Sequence, residues 1–315
     1  MTRPLYKAAA QQPTARASDG NAGLWYDKFC NQWHVNGSYW SMSAGDGGSN
    51  PKLEWIKSLA VAGGVGTRGQ VEGFPFRRIG LLENRAGRFT VFVTESRFVT
   101  GLGRSHPIEN GFAWHPTLGT PYLPGSSIKG LVRSWVREGA DPRPDPVTLA
   151  RLLGDRGQSG EVSFLDAVPI APVQIEADVM TPHYARWSEN DPPGDWRSPT
   201  PIPFLVTAVG TKFLFSVVPC ASLQSQDVQT VLDWLDAALE WSGAGAKTAV
   251  GYGRMRRDDA ATARLTESLR RQQEQIEAQR REAARQASLD PFDRELDDVA
   301  RGDAGVAPYL AWLRA

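Results

Sequence analysis

The residues best suited to chemistry lie in a glycine-rich stretch, Trp241–Met255, which reads WSGAGAKTAVGYGRM. Glycine allows positive φ angles and close approach of the backbone to a ligand. Successive backbone N–H groups bind anions, and Lys247 adds a positive charge among them. Phosphate is therefore the first ligand that this stretch suggests.

Two nucleotide-binding motifs do not fit this stretch. The P-loop requires G-x-x-x-x-G-K-[ST] leading from a strand into a helix. Here Ala246 stands at the second glycine position, and the stretch follows a helical segment instead of opening one. The dinucleotide spacing G-x-G-x-x-G is also missing from it. A purely structural alternative stays open, in which Gly243 ends the helix and a bulged strand follows.

A loop that reads GRSHPIENGFAWHP offers a second group of reactive side chains, His106, Glu109 and His115. Two imidazoles and a carboxylate can act as general acid and base or bind a metal ion. The loop has no aspartate, and isolated histidines in a proline-containing loop are more often structural. We therefore expect no catalytic residue, metal site or cofactor, and keep catalysis by either histidine as the alternative.

Composition limits the class of protein. Hydrophobic residues make up 41% and charged residues 22% of the 315 residues, which is ordinary for a globular protein. No apolar run approaches the roughly 18–20 residues of a membrane span, and the N-terminus lacks the apolar centre of a signal peptide. Two cysteines are too few for a disulfide framework. These features predict a cytoplasmic protein that contacts no membrane.

The charges are distributed unevenly although the net charge is zero. Residues 64–137 contain ten Lys and Arg against four Glu, whereas residues 286–315 contain six acidic residues against three arginines. Zero net charge argues against a protein that wraps nucleic acid by charge alone. The distribution suits a subunit that meets a polyanion with one part and protein with another.

The stretch PYLPGSSIKGLVRSWVRE predicts an amphipathic helix after a Pro-Gly turn. Ser126 or Ser127 is the expected N-cap. Helical spacing places the apolar residues on one face, namely Ile128, Leu131, Val132 and Trp135. It places the basic residues on another face, namely Lys129, Arg133 and Arg137.

The surrounding elements predict an α+β fold. Arg88–Leu102 has the composition of a long strand. The segments EVSFLDAVPI and PVQIEADVM are predicted to be two further strands. The segments PFLVTAV and TKFLFSVVP suggest a hairpin around Gly210. A helix from Ser225 then ends at Gly243. The order β-α-β-β-α-β with insertions is ferredoxin-like.

We expect three parts in the chain. Residues 1–60 form an aromatic-rich segment that docks on the core, and residues 61–256 form the ferredoxin-like domain. A proline-rich, thumb-like insertion occupies about 181–203. Residues 257–315 form a helical C-terminal extension.

The motifs PYLPGSSIKGLVRSWVRE and GAGAKTAVGYGRM together resemble the RAMP proteins of type III CRISPR effector complexes. NAGLWYDKF and FLDAVPIAPVQIEADVMTPHY extend the resemblance to type III-B complexes, so that it covers about Asn21 to Arg256. It implies a non-catalytic subunit that holds the 3′ region of the guide RNA (crRNA) and its duplex with target RNA. The implied partners are a backbone RAMP subunit, a small helical subunit and the first subunit at the same end of the complex.

The physical chemistry of the two motifs agrees with contacts to an RNA backbone. Such contacts do not have to recognise individual bases, because base pairing between guide and target supplies the sequence specificity. The thumb-like insertion could add a stacking contact. The alternative is a metal-independent endoribonuclease that uses His106 or His115. The predicted RNA-binding residues are Ser126, Ser127, Lys129, Arg133, His183, Gly243, Gly245, Lys247, Thr248, Gly251, Gly253 and Arg254.

Overall fold

The computed structural model contains both helices and strands and describes residues 15–42, 50–60, 64–181, 201–220, 225–290, 293 and 297. The helices are α1 (Ala22–Lys28), α2 (Pro51–Ala60), α3 (Arg68–Glu83), α4 (Gly125–Glu138), α5 (Pro146–Leu153), α6 (Ser225–Trp241) and α7 (Asp259–Ser288). The strands are β1 (His34–Asn36), β2 (Tyr39–Ser41), β3 (Arg88–Thr94), β4 (Val162–Pro169), β5 (Ile175–Met180), β6 (Ile202–Thr207), β7 (Lys212–Pro219) and β8 (Met255–Arg257).

The main sheet is antiparallel and has the order β4-β7-β3-β8. Helices α4 and α6 pack against each other, α4 against β4, and α6 against β7 and β8. Phe92, Phe213 and Phe215 of the sheet are at most 1% exposed and belong to one core with residues of both helices. The predicted mixture of helices and antiparallel strands is therefore present.

Helices α4 and α6 form because their apolar residues repeat at helical spacing. In α4, Ile128, Val132 and Val136 are buried. The expected apolar face is rotated slightly, because Leu131 and Trp135 are only partly buried. In α6 all five predicted apolar positions are buried: Val228, Val231, Leu232, Leu235 and Leu239.

A second core surrounds the antiparallel pair β5-β6. Helix α2 packs against both of these strands. Tyr26 of α1 and Trp55 of α2 are at most 1% exposed in this core. Tyr26, and with it the partly buried Trp25 and Trp33, thus packs into the second core, whereas Tyr39 is exposed.

The predicted hairpin around Gly210 is wrong, because its two strands belong to different sheets. Strand β6 pairs with β5, and β7 pairs with β3 and β4. The buried Thr94 hydroxyl donates to Ala208 O (3.1 Å) and accepts from Thr211 N (3.0 Å). These bonds occupy backbone groups beside Gly210 and direct the chain from one sheet to the other. The strand predicted over Arg88–Leu102 is also shorter, since β3 ends at Thr94.

Helix α3 was not expected from the sequence. It contains Pro75 and three glycines, a composition that normally disfavours a helix interior. Its buried side chains (Val71, Pro75, Ile79 and Leu82) lie at helical spacing and hold it in place. Tertiary packing therefore overrides the weak local propensity.

The chain divides into two compact units, Met1–Asp259 and Ala260–Ala315. Within the second unit, α7 carries ion pairs along its exposed surface, such as Glu267 with Arg270 and Arg271. No helix among the described residues has the length and apolar character that a membrane crossing requires. Most of the predicted thumb lies outside the described residues, which include only 181 and 201–203 of it. His183 also lies outside the described residues.

Candidate nucleic-acid interface

A cleft of about 420 Å³ brings the two glycine-bearing stretches together. It lies between α4, the loop after β3 and the glycine-rich loop. The lining residues are Thr100, Gly101, Leu102, Gly103, Leu123, Ser127, Leu131, Ser134, Ser242, Gly243, Gly245, Ala246 and Thr248. None of these side chains is charged, so no lining carboxylate opposes a polyanion.

Three glycines of the loop are required by its own packing. Gly245 has φ +87°, and a Cβ there would lie 2.1 Å from Val99 O. Gly253 has φ +77°, and its Cβ would lie 1.9 Å from Ala244 O. Gly243 follows the end of α6 with φ +72°, and its N–H donates to Ala238 O, so the predicted helix end is confirmed.

The predicted role of the loop amides needs revision, because the fold itself uses many of them. Ala244 N donates to Gly253 O (2.8 Å), and Ala246 N donates to Val99 O (2.9 Å). Over the ranges that the structure describes, the N–H groups of Gly245, Lys247 and Thr248 have no hydrogen-bond acceptor. The donors left for a ligand are therefore few and lie around 245–248.

The first turn of α4 is capped by a side chain that is distant in sequence. Pro124 occupies the N-cap position, so the expected serine cap is wrong, and Ser126 and Ser127 lie inside the helix as exposed residues. The Asp166 Oδ1 atom accepts from Gly125 N at 2.8 Å. Asp166 follows Leu165 at an irregularity in β4, 41 residues along the chain. No local pattern could have indicated this bond.

The anion site predicted at the start of α4 is therefore changed. Ser127 N and Ile128 N both donate to Pro124 O, and the Asp166 carboxylate already takes the Gly125 amide. A carboxylate at a helix N-terminus satisfies the dipole that would otherwise attract phosphate. The Ser127 side chain, not the helix terminus, is what α4 offers to the cleft.

The basic residues of α4 do not join the cleft. Residues at 3.6 per turn place Lys129 about 200° around the axis from Ser127, away from the cleft-lining face. Arg133 donates to the carbonyl oxygens of Leu153 and Gly154, the latter at 3.0 Å, and so holds the end of α5. We therefore remove Arg133 from the expected RNA contacts.

The basic residues of the glycine loop also lie beside the cleft and not within its lining. Lys247 adopts φ +60°, and its ammonium lies 5.4 Å from the centroid of the Phe204 ring, a cation–π contact. Arg254 donates to Glu240 O (3.1 Å) at the end of α6. Lys247 is consequently next to β6, which follows the predicted thumb in sequence.

The loop histidines are engaged in local structure. His106 Nε2 lies 3.0 Å from Tyr26 O, and its Nδ1 accepts from Ile108 N (3.3 Å), while its ring stacks on Tyr26. His115 Nδ1 accepts from Leu118 N (3.2 Å). Burial lowers the pKa of both imidazoles. Within the described part of the chain, no group of three or more His, Cys, Asp or Glu side chains could hold a metal ion.

Comparison with known proteins identifies relatives of this chain. The RAMP superfamily matches residues 91–256, which include both glycine-bearing stretches. The CRISPR system Cmr subunit Cmr6 of Pyrococcus furiosus is 29% identical over 228 residues, which cover 52% of this chain and 66% of that protein. Cmr6 of Saccharolobus solfataricus is 31% identical over 157 residues, 49% of this chain and 50% of that protein. The chain thus spans less than two thirds of either relative.

The fold is shared with a chain of a solved complex. A cryo-EM structure of the type III-B Cmr-beta complex bound to cognate target RNA contains a chain with a TM-score of 0.54 and 23% identity. The similarity covers 66% of this chain and 71% of that chain.

Proposed function

The chain belongs to the RAMP superfamily, and on this premise we propose that it is a non-catalytic, RNA-binding subunit of a type III-B CRISPR effector complex. In this role it corresponds to the sixth Cmr subunit and holds the 3′ region of the crRNA and its duplex with target RNA. The names of the similar proteins support the complex, and the cleft supports the RNA contact. The proposed partners are the backbone RAMP subunit, the small helical subunit and the first Cmr subunit.

The observation that carries the proposal is that Ser127, Gly245 and Thr248 all line one uncharged cleft. The hydroxyl groups of Ser127 and Thr248 and the unpaired backbone N–H groups of the loop are donors that suit phosphate and ribose oxygens. Such donors do not distinguish bases, so the site accepts any guide. Lys247 adds a positive charge at the edge of the loop.

The core arrangement supports a ferredoxin-like assignment. The elements β3, α4, β4, β7, α6 and β8 follow the order β-α-β-β-α-β, with α5 and the β5-β6 pair as insertions. In this assignment the cleft lies where the first helix and the last loop of the core approach each other.

A charge placed on one side of α4 tests the proposal. Ser127→Glu introduces a carboxylate into the cleft, whereas Ser126→Glu introduces the same charge one residue away on another helix face. Both changes affect the α4 dipole similarly, because both residues lie in its first turn. We expect Ser127→Glu to weaken binding of a crRNA–target duplex about tenfold, equivalent to ~1.4 kcal/mol, and Ser126→Glu to have little effect.

Fluorescence anisotropy with labelled duplex measures this difference, and incorporation into the reconstituted complex gives a second measurement. Equal losses in both variants would indicate nonspecific repulsion, and no loss in either would remove the cleft from RNA binding.

The alternative function is tested by cleavage. The backbone bonds of His106 favour a structural role over catalysis. Purified protein is incubated at neutral pH, without metal ions, with labelled guide and target RNA. Specific cleavage that His106→Ala or His115→Ala abolishes would replace the proposal with an endoribonuclease.

A further inference from the structure

Three aromatic rings form a continuous row on the surface between α3 and the start of α4. We call Phe74, His115 and Tyr122 the aromatic row. The Phe74 and His115 ring centroids are 5.5 Å apart, those of His115 and Tyr122 are 5.7 Å apart, and both pairs meet edge to face. Each ring is partly exposed. None belongs to either hydrophobic core, so core packing does not account for them.

Arginines lie at both ends of the aromatic row. The guanidinium carbons of Arg78 and Arg77 lie 4.9 and 5.7 Å from the Phe74 ring centroid. At the other end, an Arg104 nitrogen lies 3.4 Å from the Tyr122 hydroxyl. Arg78 is held in place by a bond to Asp166 O (2.9 Å), while Arg77 and Arg104 are exposed.

The row begins at the edge of the cleft. Tyr122 directly precedes Leu123, and Arg104 directly follows Gly103, and both of these neighbours line the cleft. Two acidic residues lie nearby. The Asp166 carboxylate is bound to the α4 amide, and Asp27 lies within electrostatic range of Arg104. Arg77 and Arg104 therefore place two exposed positive charges beside the rings.

A row of aromatic rings with arginines at its ends suits unpaired nucleotides, because bases stack on rings while guanidinium groups neutralise phosphates. A paired duplex would hide its bases from such a surface. We propose that the aromatic row with Arg77 and Arg104 forms a platform for a single-stranded segment of the RNA whose backbone occupies the cleft. This inference rests on the proposed function and specifies the part of the RNA that this surface binds.

Substitutions at Tyr122 separate the contribution of the aromatic ring to RNA binding from that of the hydroxyl group. Tyr122→Leu removes the ring, and we expect it to lower affinity for single-stranded RNA roughly 5- to 150-fold, the range for loss of one stacked base. Tyr122→Phe keeps the ring and should bind as the unchanged protein does. Tyr39→Leu alters an aromatic residue that is 59% exposed on the β1-β2 pair and serves as the matched control.

A second variant is independent of ring packing. Arg77→Ala should weaken binding across RNA sequences and reduce the slope of log affinity against log salt by about one unit. Arg156→Ala, an exposed arginine in the turn after α5, is its control. Photo-crosslinking with 4-thiouridine RNA, followed by mass spectrometry, should identify peptides that contain Tyr122 or Phe74. Circular dichroism verifies that each variant is folded.

The outcomes distinguish this inference from the proposed function. If Ser127→Glu weakens RNA binding but Tyr122→Leu and Arg77→Ala do not, the platform is refuted and the cleft stands. If none of the three weakens binding, both proposals fail. If Tyr122→Leu leaves RNA binding unchanged but prevents incorporation into the complex, the row is a protein-binding surface and the inference is overturned.

Discussion

Two glycines in helix α4 should respond in opposite directions to the same substitution. A Cβ at Gly125 would lie 2.1 Å from Phe164 O in β4, whereas a Cβ at Gly130 has no atom within 4 Å. In Gly125→Ala the start of α4 must therefore move about 1 Å from β4 to restore normal contact. That movement weakens the bond between Gly125 N and Asp166 Oδ1.

The magnitude follows from the two losses in Gly125→Ala. Overpacking costs about 1–3 kcal/mol, and a weakened bond to a charged group costs about 1 kcal/mol. A total near 3 kcal/mol lowers Tm by roughly 6–12 °C in a domain of this size. Gly130→Ala instead removes backbone entropy from the unfolded chain and gains about 0.8 kcal/mol of helix propensity. Its Tm should rise by about 2–3 °C.

Thermal unfolding followed by circular dichroism measures both variants, and RNA binding is measured at a temperature where both are folded. An equal loss of stability would refute the argument that Gly125 permits close packing on β4. Weaker RNA binding by the stabilised Gly130→Ala variant would show that the backbone at Gly130 approaches RNA.

Three further predictions concern the glycine loop, the thiols and pH. Gly253→Ala should lower the urea midpoint of unfolding far more than Gly251→Ala. Both glycines have positive φ, but only at Gly253 would a Cβ lie against Ala244 O. Equal midpoints for the two variants would contradict this prediction. Burial raises the pKa of the Cys30 thiol to about 11, whereas Cys220 is exposed, so maleimide at pH 8 should label Cys220 rapidly and Cys30 only after unfolding. Burial lowers the pKa of His106 below its ordinary 6.5, so protonation favours the unfolded chain, and stability should fall as pH drops through about 6.5. His106→Gln should reduce that decline in the urea midpoint, and an unchanged decline would refute it.

Structural elements whose signal comes from residues close together in sequence could be predicted correctly. The spacing of Val228, Val231 and Leu235 predicts helix α6, and its end at Gly243 follows from the C′ preference for glycine. The helical register of α4 and the strands β4 and β5 were accessible for the same reason. Nothing local connects Ser127 with the glycine loop, so neither stretch alone could show that both line one cleft.

Features that depend on distant contacts could not be predicted. The hairpin around Gly210 failed because the Thr94 side chain takes backbone bonds beside the turn. Helix α3 was missed because Pro75 and its glycines give a poor helix signal that burial overrides. The aromatic row combines residues from 74 to 122, and sequence alone cannot show that their rings touch.

The bond from Asp166 to Gly125 has a consequence for synthesis of the chain on the ribosome. Helix α4 emerges 41 residues before the carboxylate that completes its first turn. At about 5–20 residues per second, that interval lasts roughly 2–8 s. During this time α4 lacks both its cap and the strand that covers its apolar face, so the nascent segment is a natural substrate for chaperones that bind exposed apolar surface.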